Sequence, residues 1–285
     1  MSYIVVTMFS ALLLGLYDFF KKLSVRKDNN IYQILFLFTF VAFLCNLVFV
    51  KTAVNIEGKY ILILLLKSVI ISVNWFLTMK ALSKLDLGIT APFSLLGTVS
   101  TTILASIIYK ERIGLNQILG MAIILFGLVL ISRLGIKKDN KKNDYKYIIF
   151  LVIAAFLSSC SAMIDKYMSH NNISYKAVSF WFFLFLSIIY LIICLVINKK
   201  INFVSLKKNY YFIILTGLCI FFADIVYYSA LYMDGSNVSI ISITRKLSVF
   251  IGVLLASIFL KEDNFIKKLL ILIMMFGGLS IILLL

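Results

Sequence analysis

Two basic residues stand side by side inside a stretch that is otherwise apolar enough to cross a bilayer. They are Arg245 and Lys246, within SNVSIISITRKLSVFIGVLLASIFLKE at 236–262. A charge at membrane depth costs about 2.5–3.5 kcal/mol on insertion scales, so such groups persist where they face protein or water and act on something. Lys67, in the apolar run 60–82, and Asp224, in the run 210–232, share that setting. Arginine presents a planar fork matched to carboxylate or phosphate. Lysine, unlike arginine, is able to give up its proton, so Lys67 or Lys246 suits a proton relay. Asp224 is expected to pair with Arg245 or Lys246. One carboxylate does not neutralise three cations, and the cavity they line is expected to favour an anionic or zwitterionic ligand.

Helical spacing groups further polar residues on shared faces. Ser239, Ser242 and Arg245 recur every three residues, with Lys246 adjacent. Thr90, Ser94, Gly97 or Thr98, and Thr101 make a neutral stripe in 87–109. Lys67, Asn74 and Thr78 lie at i, i+7 and i+11, beside Trp75, and Asp224 is followed by Tyr227 and Tyr228. The candidate substrate-binding residues are therefore Lys67, Asn74, Trp75, Asp224, Tyr227, Tyr228, Ser242, Arg245 and Lys246. Asp18 and Lys21 near the end of the first apolar run, and Asp165 and Lys166 near the end of the sixth, are candidates for coupling or gating. Each has a plainer reading. Membrane Ser and Thr often serve interhelical packing, as do Gly114, Gly120, Gly127, Gly277 and Gly278. Lys21, Lys22, Lys80, Lys84 and Lys166 sit where long side chains snorkel to headgroups. Pro92, the only proline, is expected to kink the fourth run.

These residues must be positioned by membrane helices. The 285-residue chain is 62% hydrophobic, with mean hydropathy +1.06, against about 45–50% apolar in soluble domains. Long apolar runs argue for helices and against a β-barrel. Ten runs reach or approach the roughly 20 residues a span needs: 3–22, 31–50, 60–82, 87–109, 114–134, 147–167, 174–197, 210–232, 236–260 and 266–285. The first continues into Tyr17, Asp18 and Lys21 with no small-residue cleavage site, so no removable signal peptide is expected. The net charge of +16 collects in the connections, where it faces lipid headgroups, and nucleic acid is not expected as a partner. Cys45, Cys160, Cys194 and Cys219 lie in apolar runs without CxxC spacing, and the single His170 excludes a His-rich metal site. No hydrolase elbow, metal signature or phosphate loop is present, so no enzyme and no cofactor is expected.

The chain also resembles itself. Ala105-Ser106-Ile107 and Lys110-Glu111 match Ala256-Ser257-Ile258 and Lys261-Glu262, and the same offset aligns Gly127-Leu128 with Gly278-Leu279. DFFKKLS at 18–24 resembles MIDKYMS at 163–169, which equates Lys21 with Lys166. The boundaries read as a first five-helix repeat at 1–135, a basic linker loop at 136–146 and a second repeat at 147–285. Five spans per copy invert the second copy in the membrane, the plan of many secondary transporters with a substrate site between the repeats. Connections after odd-numbered spans hold 19 Lys and Arg against 6 on the other side. The positive-inside rule then puts both termini outside the cytoplasm.

The five-plus-five duplication, the lysine ending the first and sixth spans, and the helix ending in Lys-Glu in both halves together resemble the drug/metabolite transporter superfamily, in particular its EamA-type ten-helix members. The resemblance implies an all-α integral membrane protein of the cell membrane. Ten helices, as two inverted repeats, would surround a central cavity built mainly from spans one, three, four, six, eight and nine. It implies peripheral fifth and tenth helices, alternating access by rocking bundles, and cytoplasmic termini, against the charge count. The expected function is secondary active or facilitative transport of a small anionic or zwitterionic metabolite, with protons as a candidate coupling ion, by a monomer or homodimer. Two alternatives stay open: translocation of a lipid-linked sugar or amphiphilic drug, and a non-transporting accessory subunit or receptor.

Overall fold

A computed structural model describes residues 3–25, 30–109, 113–136, 141–198, 210–231, 233, 241 and 244–284, and the longer helices among these described residues fall on the apolar runs. They are α1 (Tyr3–Val25), α2 (Ile31–Asn46), α3 (Gly58–Leu82), α4 (Ser94–Tyr109), α5 (Leu115–Gly135), α6 (Lys141–His170), α7 (Tyr175–Asn198), α8 (Tyr210–Leu231), α9 (Ser248–Leu260) and α10 (Phe265–Leu284). Among the described residues, nine helical segments are long and apolar enough to cross a membrane, and no strand occurs. With no water in a bilayer core to satisfy backbone amides, a chain this apolar is confined to helices. The protein is a multi-pass membrane protein.

Local chemistry sets the helix ends. Asn30 caps α2, its side chain accepting from the Tyr32 N–H at 3.1 Å. Gln117 accepts from the Gly114 N–H at 3.2 Å at the start of α5. Asn172 and Asn264 take left-handed conformations beyond α6 and before α10, which asparagine tolerates. Lys261 ends α9 with φ 53°, a conformation that costs a non-glycine residue about 1–2 kcal/mol. Pro92 has no N–H to offer the preceding turn. The chain accordingly runs from a helical turn (Leu87–Thr90) through a 3-10 turn (Ala91–Phe93) into α4.

One boundary moves. The segment read as a basic loop at 136–146 turns helical at Lys141, so α6 begins six residues before the apolar run at 147. Asp144 in its first turn favours this, since a carboxylate there complements the exposed amides.

Helix packing has a regular pattern. α1 packs on α8 and α3 on α6; α4 packs on α6 and α9 on α1; α2 packs on α8 and α7 on α3. α2 also packs on α7, and α5 on α10. Each contact is thus matched by the one five helices on. Lipid supplies no hydrophobic drive between helices, so small residues and interhelical hydrogen bonds hold them. Ser10 donates to the Ala223 carbonyl at 2.7 Å, Ser159 to Gly97 at 2.9 Å, and the Tyr190 hydroxyl to Ser72 at 2.7 Å. The α5–α10 pair instead meets along glycines: a Cβ on Gly120 would stand 2.5 Å from the Gly278 carbonyl oxygen. That pair touches few other helices and stands at the rim.

Candidate functional site

A cavity of about 460 Å³ lies in the middle of the bundle. α3 brings Lys67, Asn74, Trp75 and Thr78 to its wall, and α8 brings Asp224, Tyr227 and Tyr228. Arg245 and Lys246 enter just ahead of α9, Asp18 and Lys21 from α1, and Asp165 from α6. All of these come from the residues singled out by type and spacing. Lys166 does not join them; it is exposed and outside the lining. Ser239 and Ser242 lie outside the described residues. Of the neutral stripe, Thr90, Ser94 and Gly97 line the cavity, whereas Thr98 and Thr101 do not.

The charges pair across helices. The Arg245 guanidinium bonds the Asp224 carboxylate and lies 4.0 Å from the Tyr227 ring centroid. Lys67 bonds Asp165, joining α3 to α6, and sits 4.5 Å over the Phe182 ring. Lys21 pairs with Asp18 at 3.2 Å and lies over Tyr17. The expectation of one carboxylate for three cations needs correcting: four lining cations (Lys21, Lys67, Arg245, Lys246) face three carboxylates (Asp18, Asp165, Asp224). The sign of the excess stays positive, but among the described lining residues it amounts to one charge. Lys246 supplies it, donating to the Ser94 carbonyl at 3.1 Å with no carboxylate in reach among the described residues. Arg245 also keeps a buried Nε–H without a partner among them. A buried donor left unsatisfied costs about 1–3 kcal/mol, and a bound acceptor would relieve it.

Several side chains have more structural work than spacing suggests. The Asn74 amide donates to the Ala154 carbonyl and its oxygen receives the Thr78 hydroxyl, so it ties α3 to α6 as well as lining the wall. Trp75 belongs to an aromatic cluster with Tyr17, Phe38, Phe182 and Phe183, at ring separations of 5.3–6.5 Å. Tyr228 stacks on Tyr175 at 5.1 Å. Lys21 and Lys22 are not headgroup anchors: Lys21 is buried against Asp18, and Lys22 donates to the Leu82 and Leu85 carbonyls at 2.7 and 2.6 Å. Their ammonium groups find protein acceptors at a helix end that packs inward.

α7 was not expected to contribute, yet Val178, Ser179, Phe182 and Phe183 line the cavity. Its run VSFWFFLFLS holds only Ser179 and Ser187 among apolar residues, too little contrast to separate a cavity-facing side from a lipid-facing one.

Comparison with known proteins gives the following. A model of the EamA-like transporter family matches residues 1–133 and 145–284. An uncharacterized protein of Methanocaldococcus jannaschii is 25% identical over 131 residues, 45% of this chain and 95% of that protein. The quaternary ammonium compound-resistance protein QacH of Staphylococcus saprophyticus is 42% identical over 57 residues, 20% of this chain and 53% of QacH. A solved crystal structure has a TM-score of 0.63, covering 99% of this chain and 96% of its own at 12% identity, a likeness of fold alone.

Proposed function

The chain belongs to the EamA-like transporter family, and from that premise we propose that it is a secondary active or facilitative transporter of a small anionic or zwitterionic metabolite, working by alternating access. The observation that carries the ligand class is the excess cation. Among the described residues Lys246 has no carboxylate partner, and beside it the Arg245 Nε–H has no acceptor, both at the cavity wall. A ligand carboxylate or phosphate satisfies both at once, and a charge-assisted hydrogen bond in a dry site is worth about 1.5–3 kcal/mol. The aromatic wall of Trp75, Phe182 and Phe183 takes the apolar part of the molecule. Asp165, bound to Lys67, and Asp18, bound to Lys21, are the groups proposed for coupling.

The inverted-repeat plan is part of the same reading. The matching of helix contacts five helices apart supports it. So does a relative almost wholly covered by less than half of this chain. A substrate site between two such repeats sits near the midplane, where rocking of one against the other exposes it to either side.

The test is a thermal-shift screen of purified protein. Carboxylates and phosphates raise the melting temperature with the logarithm of ligand excess over Kd, and the Arg245→Ala variant loses the response. Stabilisation by none of them overturns the anionic reading.

The likeness to QacH favours a second reading, an amphiphilic cation as cargo. The ring-lined wall of this chain's cavity suits a quaternary ammonium group. Tetraalkylammonium salts in the same screen separate the two: stabilisation by these and not by carboxylates selects the second.

A further inference from the structure

A second buried charge cluster lies outside the cavity, at the end of the bundle where the α3–α4 and α9–α10 connections meet. Lys268 of α10 is 1% exposed. It reaches Asp86 at 3.0 Å and Glu262 at 3.1 Å. Glu262 in turn accepts from two backbone amides of the first half, the Leu87 N–H at 2.7 Å and the Gly88 N–H at 2.9 Å. Lys22 of α1 holds the same connection through the Leu82 and Leu85 carbonyls.

The fit is close. A Cβ on Gly88 would stand 2.9 Å from a Glu262 carboxylate oxygen and 2.8 Å from Lys268 Cδ. Glu262 follows Lys261, whose left-handed backbone turns the chain out of α9. A non-glycine residue held in that conformation is one the surroundings over-determine, and such strain gathers at clamps and switches. The clamped turn is also the cavity floor: Leu82 and Leu87 line the cavity and are each 1% exposed. Near the opposite end Asp165 keeps 39% of its side chain exposed.

We propose that Glu262, held by Lys268, is the latch that closes this end of the cavity, and that its release from the Leu87 and Gly88 amides opens the cavity to this side of the membrane. The latch joins the α9–α10 connection of the second half to the start of the fourth span in the first. Rocking of the halves must therefore break it or carry both elements together. Its groups suit a reversible contact: a carboxylate on two amides re-forms without rearranging a packed apolar core. Lys268 keeps Glu262 from being a lone buried anion in the latched state.

The inference rests on the alternating-access reading above, and its test needs no substrate. Thr78→Cys places a thiol in the cavity wall of a chain whose four native cysteines are replaced by alanine. Its labelling by a membrane-impermeant maleimide is followed in right-side-out and inside-out vesicles. Glu262→Gln weakens the latch, and Gly88→Ala wedges it apart without changing a charge. Each is expected to speed labelling from the latch side by about fivefold or more and to slow it from the other side. Unchanged side preference in both folded variants overturns the proposal. Failure of both to accumulate as folded protein also overturns it, making the contact a folding determinant only. A failed ligand screen with shifted labelling leaves the latch standing and removes the ligand assignment, so the two readings fail separately.

Discussion

Arg245 bonds Asp224 across the gap between α8 and α9, and its Nε–H still finds no acceptor among the described residues. An ion pair that only balanced charge would have no reason to keep a buried donor free. The pair reads as one that holds the guanidinium over the Tyr227 ring, 4.0 Å from its centroid, while one edge of the fork stays available to a ligand.

Arg245→Lys tests that edge. It keeps the charge beside Asp224 and removes the planar fork, so stability changes little while affinity for a carboxylate ligand falls about tenfold, the weight of one charge-assisted bond. Arg245→Ala does more, because it strands Asp224; loss of one partner from a buried pair costs about 3–5 kcal/mol. Ligand titration by thermal shift distinguishes the two variants. Wild-type affinity in Arg245→Lys removes the fork from recognition.

Lys246 behaves differently because no carboxylate among the described residues depends on it. Lys246→Met leaves only the Ser94 carbonyl without its donor. The protein is expected to melt within a few degrees of wild type, or above it. Anionic ligand binding weakens by about tenfold. A large stability loss with intact binding would reverse the roles assigned to the two basic residues.

Much of this site was legible from sequence, for a physical reason. Ionisable residues at membrane depth are costly, so Lys67, Asp224, Arg245 and Lys246 stand out, and all four line one cavity. The pairing of Lys67 with Asp165 was not legible, because it joins α3 to α6 across 98 positions and depends on how helices cross. Residues near span ends misled: Lys21 and Lys22 look like headgroup anchors but are held by protein acceptors. The α7 wall was hidden for the opposite reason. Phe182 and Phe183 are as apolar as lipid-facing neighbours, and composition carries no direction. In the fold, helix positions followed from apolar run length, while the early start of α6 did not, since the six residues before its run are all polar but Tyr145.

The charge bias makes a prediction about sidedness. Discounting Lys21, Lys22 and Lys268 leaves the cation excess on the same face as before. A phosphatase fused after Leu285 is then active outside the cytoplasm, and a fluorescent protein fused there is dark or poorly folded. The reverse result places the termini in the cytoplasm and turns the latch toward the exterior.

The α5–α10 seam separates packing from function. A methyl on Gly120 meets backbone, the Gly278 carbonyl at 2.5 Å, and Ile282 Cγ1 at 2.7 Å. Backbone cannot yield as a side-chain tip does, so Gly120→Ala lowers stability by about 1–3 kcal/mol. Gly277→Ala, with nothing within 4 Å of its new Cβ, is neutral or gains a few tenths of a kcal/mol from helix propensity. Neither change alters which ligands stabilise the protein. Thermal unfolding of both variants checks this, and equal melting temperatures would sink the seam argument.

Lys67 and Asp165 are unequal partners, and a double-mutant cycle exposes the inequality. Lys67 is buried beneath Phe182, while Asp165 keeps 39% of its side chain in reach of water. Asp165→Asn leaves a cation in a poorly solvated place and is expected to cost toward the 3–5 kcal/mol of a broken buried pair. Lys67→Met leaves a carboxylate that water can solvate, so the cost is about 1 kcal/mol or less. The double variant removes both charges and returns more than half of the Asp165→Asn loss, giving a coupling of about 2–3 kcal/mol or more. Thermal or denaturant unfolding of the four proteins measures it. Additive single losses, with no recovery in the double variant, would mean that Lys67 is held by the Phe182 ring rather than by Asp165.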